Sequence, residues 1–139
     1  MGTVIRPEIS KSNKYWISKH RYYELKHFCL QYPNWKKEYD LSSVPTLSSS
    51  VIERSPSNNI HSDPTAEYVL RREAIKERID LIETLVKETD KYLYNYILKA
   101  VTEGLSYTYL KNTLEIPCGK DMYYNRYRRF FWLLSNYRN

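Results

Sequence analysis

Glycine is scarce in this chain of 139 residues, and two of its three glycines bracket one short stretch, LSYTYLKNTLEIPC, between Gly104 and Gly119. This punctuation constrains the fold more than any other feature. Upstream, KYLYNYILKAVTE reads as a helix, with Thr89 or Asp90 as its cap and Tyr92, Tyr96, Ile97, Ala100 and Val101 on one face. Gly104 stops it where a left-handed C-terminal residue is favoured. Ser106 caps a second, short helix over YTYLKNTL, because its hydroxyl can take an otherwise unpaired amide of the first turn. The turn EIPCG follows, with Pro117 barring helix continuation. A last helix then runs from about Lys120 to Ser135. Three helices broken at these points leave no room for a strand pair.

The rest of the chain agrees. Lys14 to Gln31 has no Gly or Pro; Tyr22, Leu25, Cys29 and Tyr32 recur at helical spacing, as do Trp16, His20, Tyr23, His27 and Leu30. Pro33 ends this helix, and NWKKEYDL reads as a short second one, with Asn34 capping and Trp35 and Tyr39 one turn apart. Ser42 to Ser62 contains eight serines and two prolines, a composition that gains little from burial and reads as a flexible linker. Asp63-Pro64 then opens a long helix, with a cap and a proline at the first helical position. Tyr68, Arg72, Ile75, Ile79, Ile82 and Val86 form a seam along it, open to two uses: a homodimer through residues 64–88, or an antiparallel hairpin inside one domain. The expected fold is all-α, a small helical bundle with a long central helix and a C-terminal helix-turn-helix. The chain divides into an N-terminal helical arm (1–41), the Ser-rich linker (42–62) and a helical domain (63–139).

Charge narrows the function. The formal net charge is +6, carried by the two ends, which flank an acidic middle. A basic surface attracts acidic partners. Aromatic residues make up 15% of the chain, and most are tyrosine, which can bury a ring and keep its hydroxyl wet. Cys29 and Cys118 are far apart in unlike contexts and read as free thiols of a reducing compartment. The start MGTVIRPEIS lacks the apolar core of a signal peptide. Arg6 stands where a myristoylation signal needs Ser or Thr, and no apolar run approaches the ~20 residues that cross a bilayer. The expected location is the cytoplasm of a host cell, with no membrane partner.

Catalytic and metal chemistry find little support. His20, His27 and Cys29 share a helix but not a face, and a zinc site needs about four converging ligands. No phosphate-cradling glycine loop and no nucleophile elbow occur. Glu73, Glu77 and Asp80 have the spacing of a solvated helix face. No enzyme activity, cofactor or metal is expected.

The last helix carries the candidate site. Tyr123, Tyr127, Phe130 and Leu134 form an inward seam, completed by Leu110, Leu114 and Ile116 from the short helix and turn. At about 100° per residue, Asp121, Asn125, Arg128, Arg129 and Trp132 fall on the opposite side. Arginine can fork onto guanine or phosphate, and asparagine can pair with adenine. Lys120 and Tyr124 flank this face and suit phosphate contacts.

Ser106, Tyr107, Leu110, Leu114, Ile116, Pro117 and Gly119 also resemble, in register, the DNA-binding region four of sigma factors. There Ser-Tyr opens the supporting helix and Leu-x-Ile-Pro-x-Gly makes the turn. Lys111 stands here where a small residue is usual, and Glu115 where the turn glycine is. Similar regions end the ArpU- and RinA-type regulators of phage late genes. The resemblance covers about a fifth of the chain. It implies a phage or mobile-element transcription regulator that binds double-stranded DNA, with RNA polymerase as a further partner. A second class fits the same basic, tyrosine-rich surface: a small phage-encoded, anti-CRISPR-like inhibitor that blocks a host ribonucleoprotein.

Overall fold

A computed structural model describes residues 11–42 and 64–138. Among them, all six regular elements are α-helices: α1 (Lys19–Leu30), α2 (Tyr32–Ser42), α3 (Pro64–Thr89), α4 (Tyr94–Glu103), α5 (Tyr107–Asn112) and α6 (Lys120–Tyr137). The protein is therefore an all-α bundle with a long central helix. Most of the Ser-rich segment, from residue 43 on, lies outside the described residues.

Local chemistry explains where the helices start. The first begins at Lys19, not Lys14. The Asn13 side chain accepts from the Tyr15 amide at 2.8 Å and so holds a turn, after which Ser18 caps α1 by accepting from the Arg21 amide at 3.3 Å. The second begins at Tyr32 rather than after Asn34, which caps nothing. Pro33 sits in its first turn, where a missing amide hydrogen costs no helical bond. Pro64 opens α3 as expected. Asp90 accepts from the amides of Tyr92 and Leu93 at 2.9 and 3.1 Å. It therefore caps a turn, and α4 starts only at Tyr94. That turn puts Leu93 in the core and leaves Tyr92 85% exposed, opposite to the expected face.

The punctuation around α5 takes the expected form. Gly104 ends α4 in the left-handed region at φ +72°, and Ser106 caps α5 by accepting from the Tyr109 amide at 3.1 Å. Glu115 makes the turn at φ +58°, in the left-handed region that favours glycine. Gly119 has an ordinary extended backbone, and a Cβ there would meet nothing within 4 Å.

Helix α3 is the spine, packed on α2, α4 and α6, while α1 lies against α4 and α6. Its seam is used inside the chain: Ile75, Ile79, Ile82 and Val86 are all buried, together with Leu85. Residues from all six helices share one buried cluster, so α1 and α2 belong to the same core as the C-terminal region. On α6, Tyr123, Tyr127, Phe130, Phe131 and Leu134 are buried. Each large apolar side chain so covered contributes about 1.5–3 kcal/mol. The Tyr22 and Tyr127 hydroxyls bond each other at 2.8 Å within this core, and burial, with Tyr22 alongside, pushes the Tyr127 phenol well up.

Candidate nucleic-acid interface

Three elements position the outward strip of α6. Leu110 and Ile116 are fully buried and Leu114 half-buried, anchoring α5 and the turn. The Ile116 amide donates to the Leu110 carbonyl at 3.0 Å, and the Tyr107 hydroxyl donates to the Cys118 carbonyl at 2.9 Å. These bonds fix where α6 begins. Its far end is held by Arg21 of α1, which donates to the Ser135 hydroxyl and carbonyl, each at 3.1 Å, and to the Arg138 carbonyl.

The expected residues do not all stand free. Asp121 and Lys120 are exposed on the first turn. Arg128 is partly covered rather than fully exposed, as is Arg129. Neither guanidinium has a hydrogen bond or ion pair among the described residues. Asn125 is engaged: its side-chain oxygen accepts from Arg126 at 2.6 Å. Trp132 is half-buried, with the Tyr15 ring 5.4 Å away. Tyr124 turns toward α5, 6.3 Å from the Tyr107 ring, and its hydroxyl is buried. Its hydroxyl is therefore enclosed on the α5 side rather than presented on the outward strip, where a phosphate contact was expected of it. The strip that remains open is Lys120, Asp121, Arg128 and Arg129.

Two neighbours of the strip have no signature in the sequence. Arg126 donates to Asp90 at 2.9 Å, pinning α6 to the end of α3; these residues are 36 apart, and no periodicity links them. Burial alone would raise the Asp90 pKa, but the bonds from Arg126, Leu93 and Tyr92 outweigh it and hold the carboxyl below its usual value. The second neighbour is the turn before α1. Tyr15 lies on Trp132, and the Lys14 ammonium is 5.1 Å from the Tyr15 ring. This brings an exposed lysine beside the α6 strip.

Elsewhere, His20 and His27 are exposed while Cys29 is buried, and burial pushes its thiol up. Among the described residues, no group of three or more His, Cys, Asp or Glu side chains is placed to hold a metal ion. No helix among them is long and apolar enough to cross a membrane. Comparison with known protein families, with curated proteins and with solved structures found no match.

Proposed function

We propose that the protein is a DNA-binding transcription regulator of a phage or mobile element, acting through α5, its turn and α6. One observation carries this reading. Arg128 and Arg129 lie unpaired among the described residues, on the outward side of a helix whose opposite side is locked into the core. In a helix-turn-helix the second helix enters the major groove, where arginine reads guanine or holds a phosphate. Lys120 on the first turn of α6 and Lys14 beside Trp132 extend the positive surface toward flanking phosphates. Arg126, paired with Asp90, serves instead to orient the helix.

The test is titration of the protein against random and enriched duplexes at several salt concentrations. A basic face that neutralises phosphates gives affinity that falls steeply as salt rises. Enrichment of one sequence over random duplex supports a regulator. If no duplex binds at low salt, the regulator reading fails, and the basic aromatic surface is then to be assigned to blocking a protein or ribonucleoprotein.

A further inference from the structure

A cavity of about 270 Å³ opens between α1, the turn at Gly104, α5 and α6. Six tyrosines line it, and no acidic side chain does. Lys26 of α1 also lines it, with its ammonium 6.0 Å from the centre of the Tyr22 ring and 5.9 Å from that of Tyr23. The Lys120 ammonium lies 5.9 Å from the ring of Tyr124, another lining residue. Neither lysine makes an ion pair among the described residues. The lining hydroxyls of Tyr22 and Tyr127 bond each other, and that of Tyr107 bonds a backbone carbonyl. The Tyr124 hydroxyl is buried with no partner. A buried hydroxyl without a hydrogen bond is costly, and such groups in folded proteins usually have an explanation.

Aromatic walls, uncompensated cations and an unused hydroxyl together define a ligand that is planar, anionic and able to hydrogen-bond. We propose that this cleft binds a single nucleotide unit. Its base packs against the tyrosine rings, an edge atom of the base pairs with the Tyr124 hydroxyl, and Lys26 holds the phosphate. Bases stack on aromatic side chains with little regard to sequence, because every base has a π-face. The volume suits one base with its sugar rather than a larger cofactor. The source is either a free mononucleotide or an unpaired nucleotide in a strand. This inference does not depend on duplex binding by α6.

The experiment is calorimetric titration of the full chain with nucleoside 5′-monophosphates, with a short oligothymidylate and with inorganic phosphate. Saturable binding of a monophosphate identifies a free nucleotide; binding of the oligonucleotide alone identifies an unpaired strand; either supports the cleft. Lys26→Ala is expected to weaken that binding about tenfold, as loss of a charged hydrogen bond does. Tyr124→Phe keeps the ring and removes only the unpaired hydroxyl, so binding weakens several-fold while the melting temperature holds or rises. Three results overturn the inference: no saturable binding at millimolar ligand, inorganic phosphate binding as tightly as nucleotide, or both variants binding like the parent. Lys26 lies off the α6 strip, so a parent chain that binds duplex but no nucleotide sinks this inference alone, and one that binds nucleotide but no duplex sinks only the regulator reading.

Discussion

Arginines on α3 and arginines on α6 look alike in sequence and differ in what surrounds them. Along α3, Arg71 pairs with Glu38 of α2 at 2.5 Å, and Arg72 donates to the Ser42 hydroxyl while stacking 3.9 Å from the Tyr39 ring. Arg78 lies 5.3 Å from the ring of Trp35. The same region pairs Lys76 with Asp80 and Lys36 with Glu83. On α6 only Arg126 is so engaged, while Arg128 and Arg129 make no ion pair among the described residues. The α2–α3 face pairs these cations with its own acids and rings, whereas Arg128 and Arg129 of the α6 strip have no such partner among the described residues. Net charge counts cations; reach of an acid decides whether they are free for a partner.

The comparison can be broken in several ways, the largest first. Phe130 is fully buried at the centre of the α6 seam. Phe130→Ala should cost about 3–5 kcal/mol, read by urea denaturation; a loss under about 1 kcal/mol would mean that α6 is not locked to the core. Arg128→Ala should then weaken duplex binding by about 1–3 kcal/mol if the arginine reads a base. If it holds only a phosphate, binding should weaken on every sequence and the salt slope should fall by about one. Arg71→Ala is the matched control from the other face: duplex affinity and melting curve should both stay where they were. Equal loss from the two variants would erase the distinction between the faces.

Asp90 joins the two regions, and its effect should be intermediate. Asp90→Ala removes the cap on the turn before α4 and frees Arg126, at a cost of about 1–2 kcal/mol. The folded pKa of Asp90 is held below its unfolded value. Its contribution is therefore complete above the unfolded pKa and disappears as pH falls through the folded one. Melting temperatures between neutral and acid pH should drop more for the parent than for Asp90→Asn; parallel curves would show that this link contributes nothing. A smaller gain is expected at Glu115, whose φ of +58° is strained for a residue with a Cβ. Glu115→Gly should raise stability by about 1 kcal/mol, and a fall on chemical denaturation would mean that the Glu115 side chain has a role the strain argument misses.

Much of this architecture was legible before any coordinates. Ser106, Gly104 and Pro64 mark helix ends because each acts on the backbone within one turn of itself, so local sequence is enough to place them. The inward seam of α6 follows from spacing alone for the same reason. Spacing misleads where a side chain reaches outside its own periodic pattern. Asn13 and Asp90 each hold a turn that postpones a helix, and Asp90 thereby exchanges Tyr92 for Leu93 in the core.

The candidate site was less legible than the fold. Helical angles put Asn125, Trp132 and Arg128 on one side of α6, and that placement depends only on 3.6 residues per turn. Whether each is free to bind depends on groups distant in sequence. Arg126, held by Asp90, occupies Asn125; Tyr15 covers Trp132; and the approach of α1 and α5 turns Tyr124 into a cleft with Lys26 at its side. By itself, the sequence determined that this chain is helical, where most of its helices end and which side of α6 is buried, since these are short-range consequences of backbone capping and apolar spacing. Only the tertiary structure decided which cations remain unpaired and where the tyrosines converge, because pairing and cavities arise between helices that no local pattern connects.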